Sequence, residues 1–288
     1  MVSAADIDVF EAARPRLFGI AYRMLGSRHE AEEIVQDAWL RWQGTDREAV
    51  RDPGAFLATA TTRLAINAAQ SARAQRETYI GPWLPEPVDT AEDPLLGAVR
   101  GEALEVGVLM LLEKLTPTER ATYVLREAFD YAYGEIAAAL EISEANARQL
   151  ASRARGKLEG GRRTQADTDA HRRLLEAIVN AAQAGDVAAL ERLLAEDVVT
   201  YSDGGGVVHA ARKPLVGRER VIKALVGLAR KYWTGATATA VDANGQPGMV
   251  VSSGGEVITF AAITVGESGA VELLFVVNPD KLKFPVTP

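Results

Sequence analysis

Basic, amide and hydroxyl side chains recur at the spacing of one helix face between residues 144 and 158. Arginine can bind the edge of guanine with two hydrogen bonds, and asparagine or glutamine can do the same with adenine. Serine, lysine and further arginines suit phosphate, so this set is typical of a helix that reads DNA in the major groove. Its members are Asn146, Arg148, Gln149, Ser152, Arg153 and Arg155, followed by Lys157, Arg162 and Arg163.

Two short helices joined by a tight turn must position these side chains. An apolar face runs through residues 133–140, and small or apolar residues repeat at helical spacing through residues 144–158. Ser143 lies at the N-cap, where its hydroxyl can accept a hydrogen bond from a backbone N–H of the first turn. The pattern predicts a helix-turn-helix. An ordinary pair of antiparallel helices with a solvated basic face is the alternative that the segment alone leaves open.

The chain as a whole is acidic, with 32 Lys and Arg against 39 Asp and Glu and a formal net charge of -7. A protein that binds DNA unaided usually has a more basic surface, because its affinity comes from releasing counterions from phosphates. A locally basic helix in an acidic chain therefore favours a protein that a larger partner brings to DNA.

The absence of cysteine excludes disulfides, thiolate metal sites and cysteine nucleophiles. The N-terminus has no basic start followed by an apolar run, and no stretch is long and apolar enough to span a bilayer. We therefore expect a cytoplasmic protein without membrane contact, and no metal or cofactor.

Helical periodicity covers two blocks, residues 7–77 and residues 95–163. In the second block, Thr116, Pro117 and Glu119 form a helix start with a capping box and a proline in the first turn. Both blocks are predicted to be all-α domains.

Residues 78–94 are predicted to be a linker, because one glycine and four prolines forbid a continuous helix there. The linker nevertheless contains Tyr79, Ile80, Trp83 and Leu84, which are costly to leave in water. These side chains either pack against a neighbouring domain or bind a partner surface, and the sequence leaves both alternatives open.

The periodicity changes in the last block, residues 167–288. Two helices broken at Gly185 and Asp186 are followed by a strand-like run at 198–201, a helix at 217–233 and several β-prone runs. Helices followed by a meander of strands predict an α+β domain with a curved sheet. The predicted fold is therefore multidomain, with two all-α domains followed by an α+β domain.

The first two blocks resemble the two DNA- and polymerase-binding domains of an extracytoplasmic-function (ECF) sigma factor, a bacterial initiation factor of the sigma-70 superfamily. Three motifs carry the resemblance in matching order: the acidic tryptophan-bearing run 31–40, the capped helix in 115–126 and the helix end at 152–158. The resemblance implies a region 2 domain at 7–77 for the polymerase clamp and the −10 element. It implies a region 4 domain at 95–163 for the −35 element.

The same resemblance implies roles for individual residues. The partners would be promoter DNA and core RNA polymerase, bound through its β′ clamp and its β flap. Contacts to the clamp would come from Glu33, Gln36 and Asp37; contacts to the −10 element from Arg63, Asn67, Arg73, Gln75 and Arg76; contacts to the −35 element from Asn146, Arg148, Gln149, Ser152, Arg153 and Arg155. Without the resemblance, the acids are a solvated helix face and the third helix simply ends in polar residues.

The last block resembles a SnoaL-like cone, the fold of polyketide cyclases and ketosteroid isomerase. One subgroup of ECF sigma factors with this extension carries Trp-Leu-Pro-Glu-Pro, Asp-Gly-Gly-Gly and Asn-Pro-Asp-Lys-Leu, and all three motifs occur here. The resemblance implies that the extension modulates sigma activity in place of a separate anti-sigma protein. The regulatory contacts would involve Trp83, Leu84, Pro85, Asp203, Gly204, Asn278, Pro279, Asp280, Lys281 and Leu282.

Enzymes with a cone fold use an aspartate or histidine as general base, which makes Asp203, His209 and Tyr201 the candidates here. Asp203 opens a glycine-rich turn, so its carboxylate can instead accept local backbone hydrogen bonds. Because no second acid–base partner lies at a motif-defined position, we assign no catalytic residue and expect no enzyme activity. We also expect the protein to be a monomer. The sequence leaves two roles open for the cone: binding a small-molecule ligand, or making contacts within the chain.

Two other interpretations compete with the sigma factor. A one-component helix-turn-helix regulator with a ligand-binding cone explains the last two blocks but leaves residues 7–77 without a role, and it predicts a dimer on a palindromic site. An enzyme of the ketosteroid isomerase type with a helical attachment is the second alternative.

Overall fold

The computed structural model describes residues 3–90, 105–158 and 167–283. The chain forms two compact units, the first of residues 1–77 and 93–161 and the second of residues 78–92 and 162–288. In these described ranges, no helix has both the length and the apolar character that crossing a membrane requires.

Three helices open the first unit: α1 (Ala4–Leu25), α2 (Arg28–Gln43) and α3 (Pro53–Glu77). A capping box at Ser3 starts α1, and Gly26 ends it in the left-handed conformation with φ 67°, which a glycine adopts without steric cost. Ser27 then caps α2. The three helices enclose an apolar core that includes Leu17, Ile20, Met24, Leu25, Val35, Trp42 and Leu57.

The described residues 105–158 of this unit contain four further α-helices: α4 (Val106–Leu112), α5 (Pro117–Tyr123), α6 (Tyr133–Leu140) and α7 (Glu144–Leu158). The capping box predicted at Thr116 is confirmed. The predicted turn between α6 and α7 is also present, with Glu141 in the left-handed region at φ 57°. The Ser143 hydroxyl accepts from Asn146 N at 3.2 Å, as its N-cap position predicts.

The described part of the second unit packs three α-helices on one sheet. The helices are α8 (Thr168–Ala184), α9 (Val187–Leu193) and α10 (Arg218–Tyr232); the strands are β1 (Leu194–Asp203), β2 (Leu215–Val216), β3 (Thr237–Ala243), β4 (Gln246–Ser253), β5 (Glu256–Gly266) and β6 (Gly269–Val276). The strand order is β2-β1-β6-β5-β4-β3, and only β1 and β6 run parallel. A short 3-10 turn (Pro279–Lys281) follows β6.

An apolar core joins the helices to one face of the sheet. Alternate residues of the strands, among them Met249, Ile263 and Phe275, meet Leu175 of α8 and Leu225 of α10. This arrangement follows from the period of two in the strands and the wider apolar stripe on the helices. The α+β architecture is as the sequence predicts.

The predicted linker packs against the rest of the second unit. Its described residues group with the second unit, and Leu84 and Val88 are buried with exposures of 0% and 4%. Ile80 stays 53% exposed. Packing within the chain, the first of the two alternatives, therefore accounts for Leu84, because burial removes that side chain from water.

Candidate nucleic-acid interface and linker site

The outer face of α7 presents all six residues predicted to contact the −35 element. Asn146, Arg148, Gln149, Ser152, Arg153 and Arg155 are exposed. The inner face of α7 is small and apolar and is buried against the rest of the domain. The amphipathic pattern thus fixes which face of the helix is available to DNA.

Ion pairs divide the basic residues of α7 into two groups. Arg155 donates to Glu127 at 2.6 Å, Lys157 pairs with Glu119 at 2.7 Å, and Arg148 pairs with Glu144 one turn earlier. Hydrogen bonds to Glu127 and Tyr133 raise the pKa of Arg155. Arg153 makes no ion pair with any residue in the described part of the chain, which leaves its guanidinium available to a ligand.

Two arginines predicted to contact the −10 element form hydrogen bonds or ion pairs with the second helical domain. Arg63 on α3 donates from Nε to the Ala139 carbonyl at 2.8 Å and pairs with Glu141 at 2.9 Å, at the end of α6. Arg76, near the end of α3, pairs with Glu113 between α4 and α5. The other three predicted residues, Asn67, Arg73 and Gln75, are exposed.

Glu113 bridges two arginines that come from different domains, Arg76 and Arg120. Arg120 is only 4% exposed and also donates from Nε to the Arg23 carbonyl at 2.8 Å. Burial alone would raise the pKa of Glu113, but the guanidinium groups of Arg120 and Arg76 outweigh it and hold that pKa below its usual range. The carboxylate therefore stays charged and links the two domains.

The outer face of α2 is acidic. Glu33, Gln36 and Asp37 are exposed there, and Leu40 beside them is 55% exposed. The neighbouring Trp39 packs its ring on Phe10 with centroids 4.8 Å apart. This face combines the predicted polar residues with an apolar side chain that the prediction did not include.

The linker binds the second unit around the buried carboxylate of Asp203, which has no exposed surface. Its Oδ1 accepts from the Tyr79 hydroxyl at 2.5 Å and from Gly205 N at 3.0 Å. Its Oδ2 accepts from Leu84 N at 2.8 Å and from Lys281 Nζ at 2.7 Å. The four donors satisfy both carboxylate oxygens, and two of them belong to the linker.

Lys281 holds the linker from the other side of the same site. Its Nζ donates to the Leu84 carbonyl at 2.6 Å and lies 4.2 Å and 5.2 Å from the ring centroids of Trp83 and Tyr79. Both distances permit cation–π attraction. Burial raises the pKa of the Tyr79 hydroxyl, and its hydrogen bond to Asp203 raises it further, so the hydroxyl stays protonated as a donor.

The glycines of the Asp-Gly-Gly-Gly motif make room for this site. A Cβ on Gly204 would lie 2.3 Å from the Val208 carbonyl oxygen, and a Cβ on Gly205 would lie 2.3 Å from the Asn278 amide. That Asn278 amide also donates to the Tyr79 hydroxyl at 3.1 Å. The three motifs of the subgroup therefore meet in one place.

A second attachment lies at the turn between β3 and β4. Val88 N donates to Asn244 Oδ1 at 3.1 Å, and Asn244 N donates to the Val88 carbonyl at 2.9 Å. Thr90 N donates to the Asp242 carbonyl at 3.0 Å, and Asp89 pairs with Ala243 as an antiparallel bridge. Residues 79–90, the linker strap, are thus anchored at both ends on the second unit.

The remaining predicted residues have simpler positions. Pro85, Gly204 and Leu282 are buried, whereas Pro279, Asp280 and His209 are exposed and Tyr201 is half-buried. Because Asp203 already accepts four hydrogen bonds, it serves as an anchor for the strap. Within the described ranges, no group of His, Asp and Glu could hold a metal ion.

Several residues of these contacts could not be singled out from the sequence. The sequence marks Tyr79 only by its apolar ring, and no pattern marks Glu113, between α4 and α5, or Arg120 of α5 as partners. Asn244 had a usable signal, because Asn-Gly between two β-prone runs indicates a tight hairpin turn.

Comparison with known proteins identifies the family. Sigma-70 region 2 matches residues 9–75, and Sigma-70, region 4 matches residues 106–158. The ECF RNA polymerase sigma factor SigJ of Mycobacterium tuberculosis (strain ATCC 25618 / H37Rv) is 36% identical over 291 residues, which cover 96% of this chain and 93% of SigJ. This chain is an ECF RNA polymerase sigma factor.

Two further comparisons agree with that assignment of the sigma factor. The crystal structure of Mycobacterium tuberculosis SigJ superimposes with a TM-score of 0.79 at 34% identity and covers 98% of this chain and 100% of that one. The probable ECF RNA polymerase sigma factor SigI of Mycobacterium tuberculosis (strain CDC 1551 / Oshkosh) is 27% identical over 98% of this chain and 94% of SigI. The predicted family, the fold class and the function as an initiation factor are confirmed. The comparisons favour this function over that of a one-component regulator.

Proposed function

We propose that docking of the linker strap on the C-terminal domain sets the activity of this ECF sigma factor. The observation that supports the proposal is the Asp203 site, where Tyr79 and Leu84 of the strap share one buried carboxylate with Lys281. A docked strap shortens the chain that joins the region 2 domain (7–77) to the region 4 domain (95–163). It therefore restrains how far these two domains separate, and through this restraint the domain at 167–288 regulates initiation.

The −35 element is read by the exposed face of α7. Gln149, Ser152 and Arg153 contact bases, since they are exposed and Arg153 has no ion pair within the described residues. Asn146 and Arg148 lie at the start of the helix, where recognition helices meet base edges. Arg155 contacts phosphate from its fixed position beside Glu127.

Two surfaces of this protein bind core RNA polymerase, and the binding takes place in the cytoplasm. Glu33, Gln36 and Asp37 of α2 bind the β′ clamp, with the exposed Leu40 adding an apolar contact. The region 4 domain binds the β flap. Binding of both domains to one large partner supplies the free energy that separates them.

Access to the −10 element requires that separation. Asn67, Arg73 and Gln75 are exposed on α3, but Arg63 and Arg76 are bonded to the region 4 domain. These two arginines reach DNA only after their bonds to Ala139, Glu141 and Glu113 have broken.

Run-off transcription with purified core RNA polymerase tests the proposal, on promoters selected from genomic DNA. We expect initiation to require this protein. The substitution Lys281→Met, the deletion of residues 278–288 and truncation after Arg163 should each raise the output, because each releases the strap.

The matched control is Lys283→Met, two residues away on the exposed surface. An output from Lys281→Met equal to that of Lys283→Met, or below it, would show that the docked strap does not restrain initiation. Specific DNA binding without polymerase, and no initiation, would instead favour a one-component regulator.

A further inference from the structure

The charges of the C-terminal domain are strongly asymmetric. Residues 212–231 contain seven Lys and Arg and only one acid, Glu219, which gives this segment a net charge of +6. The other residues of 167–283 contain five Lys and Arg and thirteen Asp and Glu, a net charge of −8. The positive charge of an otherwise acidic domain is therefore concentrated on α10 and the loop before it.

One face of α10 presents this charge to solvent. Arg220, Lys223 and Arg230 are exposed, with the exposed Gly227 between them. Their spacing of three, seven and ten residues places them along one line about 15 Å long. The opposite face is buried in the core through Val221, Ile222, Leu225 and Ala229, so the line of charge is held on a rigid element.

The basic side chains on α10 and in the loop before it form no ion pairs within the described part of the domain. Arg212, Lys213, Arg220, Lys223 and Arg230 make no ion pair with any residue in the described part of the chain; Lys231 lies over the Tyr232 ring, and Arg218 reaches the Ala195 carbonyl only at 3.5 Å. An unpaired line of cations attracts an anionic partner at long range.

The position of the cations on the helix also points to a ligand. Arg230 and Lys231 lie in the last turn, where the helix dipole favours positive charge. Arg218 and Arg220 lie in the first turn, where the same dipole disfavours it. The helix dipole therefore opposes these two charges, which a bound anion would compensate.

We propose that this face of α10, which we call the α10 basic face, binds the sugar–phosphate backbone of promoter DNA in the initiation complex. A regular polyanion suits a straight line of Arg and Lys, because each phosphate contact releases counterions. A protein partner suits it less, since the cores of protein interfaces are depleted in charged residues, whereas this face presents three cations around a glycine. The centre of this face is a glycine, whose lack of a side chain lets a phosphate backbone come close.

The salt dependence of DNA binding by holoenzyme tests the proposal, with core polymerase and the full-length chain. The test variant is K223Q/R230Q, and the matched control is R173Q/K283Q, which removes one Lys and one Arg from other exposed positions of the domain. We expect the slope of log K against log salt concentration to become shallower by about 2 for the test variant, at about 0.9 per lost phosphate contact. The control should leave the slope unchanged.

A second duplex without a promoter should show the same change in slope, because phosphate contacts carry no sequence information. Equal slopes for test and control variants would overturn the proposal. So would a loss of affinity for core polymerase in the absence of DNA that is confined to K223Q/R230Q, which would assign the face to a protein partner. The charge reversal K223E/R230E, which keeps the face exposed, should weaken DNA binding further. These readouts do not depend on the strap, whose own test is the Lys281→Met transcription assay.

Discussion

At the residue scale, the Asp203 site shows how a buried charge can be tolerated. A carboxylate without exposed surface is costly unless hydrogen bonds and a counter-charge replace its water. Asp203 has both, because Tyr79, Leu84, Gly205 and Lys281 surround its two oxygens. Since two of these donors lie in the strap, the charge of Asp203 is fully compensated only while the strap is docked.

Lys281→Met should therefore loosen the strap and destabilise the second unit. The substitution keeps much of the side-chain volume but leaves Asp203 buried without its cation, which typically costs about 3 kcal/mol. Chemical unfolding would measure the loss of stability. Chymotrypsin, which cleaves after aromatic residues, should cut after Tyr79 and Trp83 faster than in the parent protein.

Lys283→Met serves as the control, because Lys283 is exposed and lies outside the site. We expect it to change the free energy of unfolding by less than about 0.5 kcal/mol. Equal stability and equal cleavage in the two variants would mean that the cation of Lys281 does not hold the strap.

At the element scale, the end of α3 is joined to α4 and α5 by one carboxylate. Glu113 forms ion pairs with both Arg76 and the nearly buried Arg120. Surface ion pairs contribute little to stability, whereas an ion pair shielded from water is costly to break on one side. The ion pairing between the end of α3 and the start of α5 thus depends on a single carboxylate.

This dependence predicts a response to acid. Because the pKa of Glu113 is lowered in the folded protein, its contribution is fully present above the unfolded pKa of about 4.3. It is lost as the pH falls from there through the folded pKa. Glu113→Gln should remove about 3 kcal/mol at neutral pH and flatten the fall in stability below about pH 4.3, measured by chemical unfolding at a series of pH values.

Glu144→Gln is the comparison for this experiment, since the Glu144–Arg148 pair is exposed and lies within one helix. It should cost less than about 0.5 kcal/mol. A neutral-pH loss no larger for Glu113→Gln than for Glu144→Gln would show that Glu113 does not join the domains.

At the scale of the whole molecule, the first unit is a closed state of two DNA-binding domains. Besides Arg63 and Arg76, Arg16 of α1 lies 4.6 Å from the Tyr131 ring centroid, and Arg23 lies 5.2 Å from that of Phe129. We expect these contacts to open when the two domains bind separate promoter elements. In this proposal, polymerase supplies the binding free energy for the conformational change.

Energy transfer between two dyes would detect this opening. The chain has no cysteine, so Ala74→Cys on α3 and Ala145→Cys on α7, both at exposed positions, allow labelling at two defined sites. We expect high transfer in the free protein and a clear decrease when core polymerase is added. Bovine serum albumin at equal mass is the control for crowding; transfer that stays constant with polymerase would contradict the closed state.

Local patterns in the sequence determined much of this protein. Apolar periodicity, the caps at Thr116 and Ser143, and the breakers in the linker gave the helices, the helix-turn-helix and the order of the domains. They did so because caps and periodic faces depend on neighbours within a few residues. The exposed face of α7 and the polar face of α2 could be read in the same way.

Contacts between distant residues were decided only by the tertiary structure. The Tyr79 hydroxyl reaches Asp203, 124 positions away in the sequence, and Arg63 reaches Ala139, 76 positions away. No local rule relates such positions, since the folding of whole domains brings them together. The sequence therefore determined which side chains could bind DNA and polymerase, whereas the tertiary structure decided which of them are held by the protein itself.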